Sequence, residues 1–98
     1  MNRDLDLKIA EIKSYGVIDK NPDLLPHWSS ALNMAWQLIG EMIKNGQDIR
    51  IEHDGSSDNW YFGYGSGNCG LTYVKGHTPQ ESICKGYLEW CDLTRKEN

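Results

Sequence analysis

The chain has 98 residues and a formal net charge of −4 at pH 7, which gives one domain with a modest core and disfavours attraction to nucleic-acid polymers. A chain of this size buries roughly 60–70% of its unfolded surface, so self-association would add stability. No segment approaches the roughly 20 apolar residues of a membrane span, and no basic stretch followed by an apolar run marks a secretory signal.

Residues 3–13 predict a short helix, because Leu5, Ile9 and Ile12 recur at helical spacing. Asp4 and Asp6 near its start and Lys13 near its end suit the helix dipole. Gly16 marks a stop. Residues 17–27 hold two proline-marked turns, Asn21-Pro22-Asp23 and Leu25-Pro26-His27, which oppose a helix there. This long connection is expected to pack through Val17, Ile18, Leu24 and Leu25. Ser29 or Ser30 can cap a second helix that runs to about Lys44. Its apolar set is Ala31, Leu32, Ala35, Ile39, Met42 and Ile43, widened by Trp36 and Leu38, and Asn45-Gly46 suits its end.

From Gln47 the period becomes two. Ile49 and Ile51 point one way, Arg50 and Glu52 the other. Residues 54–58 read as a hairpin loop, residues 60–64 and 71–74 as further strands, and residues 65–68 as a flexible turn between them. Thr78-Pro79-Gln80-Glu81 then opens the closing helix, with a capping hydroxyl, a proline at the first helical position and a capping-box glutamate. Ile83, Tyr87 and Trp90, with Cys84, Leu88 and Cys91, give that helix a wide apolar band up to Leu93. The expected fold is α+β: a single domain over residues 1–98, with a three-stranded antiparallel meander sandwiched with helices in the order α-α-β-β-β-α.

The alternation assigns Ile49, Ile51, Trp60, Phe62, Leu71 and Tyr73 to a helix-covered face. It assigns Arg50, Glu52, Tyr61, Thr72 and Val74 to the other face, with Gly63 leaving a gap. The four tryptophans and five tyrosines exceed what a core of this size needs, and Trp28, Tyr61 and Tyr64 are the ones near loops or on the polar face. Such aromatics stack on a planar ligand or anchor a partner, while Arg50 and Thr72 can hold a phosphate or carboxylate. The expected binding residues are therefore Trp28, Arg50, Glu52, Tyr61, Tyr64 and Thr72. A homo-oligomer seam, or burial under the first helix, is the alternative for the same face.

Thr78-Pro79 with Ile83-Cys84-Lys85 and Leu88, and Trp28-Ser29-Ser30 leading to Ala35-Trp36, resemble the two corresponding segments of the phage ABA sandwich family. NinX-like phage proteins are similar at greater distance. The chain departs from the family at Ala31, where an acidic residue is usual. The resemblance implies a phage- or prophage-encoded protein and raises the weight of binding over catalysis, by analogy with small accessory phage proteins.

Other chemistries find little support. Gly63-Tyr64-Gly65-Ser66-Gly67-Asn68 lacks the Gly-Lys-Ser/Thr ending of a phosphate loop and leads into a strand. His53, His77 and Cys69 lack metal-ligand spacing. Cys84 and Cys91 read as small core residues, and the odd set of three cysteines fits a reducing cytoplasm, which the resemblance implies is that of a bacterial host. A hydrolase using His53, Asp54 or Glu52, and Ser56 or Ser57 lacks a nucleophile elbow, and adjacent strand residues face opposite ways. No catalytic residue, metal or cofactor is assigned. The expected function is a non-enzymatic binder that counters host defence by sequestering a nucleotide immune signal. The alternative is an anti-CRISPR-like protein inhibitor of a host nuclease or regulator.

Overall fold

Six elements follow one another in the computed structural model, which describes residues 3–13, 28–66 and 70–96. They are α1 (Arg3–Ile12), α2 (Leu32–Lys44), β1 (Asp48–His53), β2 (Trp60–Gly65), β3 (Thr72–Gly76) and α3 (Pro79–Lys96). The expected α+β order is observed, and the three strands form one antiparallel sheet in the order β1-β2-β3. The expectations for Gly16, Val17, Ile18, Leu24, Leu25 and Cys69 lie outside the described residues.

α3 is the element on which the others converge, packing against β2, β3, α2 and α1. Its start is built as the sequence indicates. Thr78 Oγ1 accepts the Glu81 N–H at 3.0 Å, which satisfies one of the orphan donors of the first turn. The Glu81 carboxylate pairs with Lys85 at 2.8 Å and reaches back to the His77 N–H, one residue beyond a standard capping box. The hydrogen bond from Lys85 is the main reason that carboxyl titrates below its ordinary range. Ile83, Cys84, Tyr87 and Cys91 of α3 are buried. They meet Leu5, Ile9 and Ala10 of α1, Ala35, Leu38, Ile39 and Met42 of α2, and Phe62 and Tyr64 of the sheet in one cluster. Burial pushes the Cys84 thiol up to about 12, so it packs as a small apolar group.

α2 begins later than expected. Trp28, Ser29 and Ser30 form a turn, and the N-cap is Ala31, in extended conformation with no side-chain cap. An alanine there offers no side-chain acceptor to the N–H groups of the first turn. Ser29 is held differently: its N–H donates to the fully buried Asp6 of α1 at 2.8 Å. Trp28 beside it is 1% exposed.

Pairing corrects the expected faces of the sheet. Phe62 lies opposite Val74, and Tyr64 opposite Thr72 and Ile49. Directly opposed residues share a face, so Thr72 and Val74 belong with the helix-covered set. Tyr73 stands on the other face and is 42% exposed. The reading failed because Leu71 and Tyr73 are more apolar than Thr72 and Val74, whereas the register is fixed by Phe62 packing on α3. Trp36, expected in the core, is 57% exposed.

Candidate functional site

Where the structure places the expected residues decides which of them can act together. Arg50, Glu52 and Tyr61 share the open face of the sheet, joined by Tyr73 and Lys75 in the rows Arg50–Gly63–Tyr73 and Glu52–Tyr61–Lys75. Arg50 and Glu52 pair loosely at 3.7 Å with both side chains well exposed. The expected gap at Gly63 is filled, because the Tyr73 ring lies across it and a Cβ there would sit 2.8 Å from that ring. The open face therefore has no gap at Gly63, and its charges are of mixed sign.

Trp28, Tyr64 and Thr72 do not join it. Trp28 is core, and Thr72 is an exposed residue on the opposite face. Tyr64 is 3% exposed and donates its hydroxyl to Glu89 of α3 at 2.8 Å. Burial first, and that bond second, hold the Tyr64 hydroxyl above the ordinary tyrosine range.

The hydrolase residues serve the β1–β2 loop. Asp54 accepts the Ser56 N–H at 3.0 Å, the Ser56 hydroxyl at 2.7 Å and the Ser57 hydroxyl at 3.1 Å. These bonds, Ser56 foremost, lower the Asp54 carboxyl from its usual value. Both hydroxyls are thereby turned to closing a loop. The His53 ring packs against Trp60 at 4.7 Å between centroids. Among the described residues, no group of three or more His, Cys, Asp or Glu is arranged to hold a metal ion, and no helix is long and apolar enough to cross a membrane.

A concave site lies on the helical side of the fold. A cleft of ≈600 Å³ opens between the three helices, lined by Glu11 and Ile12 of α1, Glu41 and the following Asn45 of α2, and Tyr87, Trp90, Cys91 and Thr94 of α3. Its polar groups are pre-set by one another. The Glu41 carboxylate accepts the Lys13 ammonium at 3.1 Å and the Tyr87 hydroxyl. The same ammonium stands 5.4 Å from the Tyr87 ring centroid, within reach of a cation–π contact. Burial foremost, then the Glu41 bond, keep the Tyr87 hydroxyl protonated far above its ordinary range. Trp90 tilts against Tyr87 at 5.9 Å. Thr94 donates its hydroxyl to the carbonyls of Trp90 and Cys91.

A carboxylate with two oxygens keeps accepting capacity after taking Lys13 and Tyr87. Trp90 offers an apolar wall, and the Tyr87 and Thr94 hydroxyls are already donated within the protein. Sequence reasoning missed the cleft because Tyr87 and Trp90 sit on an apolar stripe that reads as core. Lys13 and Glu41 read as solvated ends. The one available signal was the pair of opposite charges on two helices that must both pack on α3.

Comparison of the chain with protein-family models, with curated proteins and with solved structures found no match in any of the three.

Proposed function

We propose that this chain is a non-enzymatic binding protein that captures a small molecule in the cleft between its three helices. The convergence of Glu41, held by Lys13, with Tyr87 and Trp90 on a ≈600 Å³ concavity carries that reading, since ligand sites characteristically combine an apolar wall with a few fixed polar groups. The carboxylates of Glu11 and Glu41 accept N–H donors and repel phosphate. The fitting ligand is therefore flat and donor-rich, with the base of a purine nucleotide as the concrete case, entering base first. With the resemblance to small phage proteins, this supports sequestration of a host nucleotide signal as the biological role.

A thermal-shift panel of nucleosides, cyclic nucleotides and ADP-ribose tests it. A true ligand at about 100 times its Kd adds roughly 2.7 kcal/mol, which raises the melting temperature by on the order of 10 °C for a domain of this size. Glu41→Ala and Trp90→Ala, each measured against its own unliganded melt, abolish that rise. A flat panel, or a rise that survives both substitutions, contradicts the proposal.

The open face of the sheet favours a second reading, in which Tyr61, exposed Tyr73 and Arg50 anchor a host protein that the domain inhibits. Tyr73→Ala would then remove a salt-sensitive partner from a pull-down while leaving the nucleotide response intact.

A further inference from the structure

Three of the large apolar side chains exposed on this fold lie on one helix. Leu32 is 47%, Trp36 57% and Ile43 56% exposed, all on α2. At about 100° per residue they fall within about 40° of one another, and Glu41 and Asn45 fall on the opposite flank, roughly 180° away. Glu41 and Asn45 line the cleft shared with α3 and α1. The apolar row therefore faces away from α3, on the side of α2 that lies toward β1.

That side of the fold ends in an edge strand. Among the described residues β1 pairs with β2 alone. The Asp54 N–H donates to the Asn59 carbonyl at 3.0 Å, and ladder bonds alternate along a strand. Hence Glu52, Arg50 and Asp48 turn their backbone groups toward β2, while Ile49, Ile51 and His53 turn theirs outward. Ile49 and Ile51 are also only half-buried at the margin of the core cluster. Proteins blunt such edges with prolines, bulges or like charges that repel a second copy. β1 has no proline, and its charges alternate in sign.

Charge order and strand length together select the register, because a two-fold at Ile49 also sets Asp48 against Arg50 twice but leaves Ile51 opposite Gln47, outside the strand. In an antiparallel pairing of β1 with itself, side chains keep their faces only if the two-fold passes through a residue. A two-fold at Arg50 sets Arg50 against Arg50 and Asp48 against Glu52, which is repulsive throughout. A two-fold at Ile51 sets Arg50 against Glu52 twice, Ile51 against Ile51 and Ile49 against His53, all within the strand. Opposite charges directly across a strand pair are stabilising.

We propose that two copies of this chain pair antiparallel through β1 about a two-fold at Ile51, with the Leu32–Trp36–Ile43 rows of the two α2 helices closing over the seam. The product is a continuous six-stranded sheet. It leaves the three-helix cleft accessible, because the cleft lies on the other flank of α2, and so it stands independently of the ligand reading.

Sedimentation equilibrium over concentrations up to about 200 µM tests this by mass action. The unaltered chain sediments at twice its 11.2 kDa mass. Trp36→Glu places a charge in the apolar row and weakens the dimer at least about tenfold. Arg50→Glu sets like charges across the seam twice and weakens it about fivefold or more. The swap Arg50→Glu with Glu52→Arg restores it to within about threefold. Both single substitutions are at exposed positions, so at dilutions where parent and variants are all monomeric their melting curves match, and Arg50→Glu serves alone if Trp36→Glu does not fold. A monomer at all concentrations, a mass that grows beyond two copies, a dimer untouched by a folded single variant, or a swap that fails to restore pairing each overturns the proposal.

Discussion

Gly86→Ala lowers the melting temperature of this protein by roughly 8–16 °C, the equivalent of about 2 kcal/mol in a domain of this size. Two effects oppose each other at this position. Glycine inside a helix is about 1 kcal/mol worse than alanine, so propensity alone predicts stabilisation. A Cβ on Gly86, however, would overlap Cδ2 of Phe62 and lie 2.7 Å from its Cε2. Phe62 is fully buried at the centre of the sheet and cannot retreat without moving the strand. Overpacking of this kind costs about 3 kcal/mol, so sterics win. Gly40 on α2 is the control, because a Cβ there meets nothing within 4 Å. Gly40→Ala is neutral or stabilising by up to about 1 kcal/mol. Thermal denaturation of the two variants beside the parent separates the effects. Equal behaviour would mean that α3 does not approach Phe62 closely.

Trp28→Ala costs about 3–5 kcal/mol, the range for truncating a buried aromatic. A domain of 98 residues has only about 5–15 kcal/mol of stability in all, so a large fraction of the variant unfolds at moderate denaturant. The reason is position: Trp28 is 1% exposed and adjoins Ser29, whose N–H is held by Asp6. The sequence placed Trp28 before a cap and beside a proline-rich stretch, where it read as a surface anchor. As an anchor it would leave the urea midpoint unchanged when truncated, and that outcome would restore it to the list of recognition residues.

Much of this architecture is legible from local chemistry. Thr78-Pro79 and the apolar band beyond it specify α3, and the switch to period two at Gln47 specifies the meander. Parity failed only at β3, where Leu71 and Tyr73 offered a more apolar alternation than the one the register selects. Tyr64 was misplaced for the opposite reason. Its hydroxyl and glycine neighbours read as a loop, yet it stands two residues from Phe62 and therefore shares its face. Arg50, Glu52 and Tyr61 were grouped correctly because they depend on β1 and β2 alone. The cleft was invisible because it arises from how three helices meet, and no single element's periodicity records that. Likewise the row Leu32, Trp36 and Ile43 looked like core until α3 was seen to occupy the other side of α2.

The cleft reading is tested most directly by a two-dimensional NMR titration with the strongest nucleotide or nucleoside from the thermal panel. Ligand in the cleft shifts the Trp90 indole N–H, the Asn45 side-chain amide and the backbone amides of Tyr87 and Thr94, and leaves Arg50, Tyr61 and Tyr73 unmoved. Shifts confined to Arg50, Tyr61 and Tyr73, with the Trp90 indole unperturbed at saturation, would place recognition on the sheet and contradict the cleft.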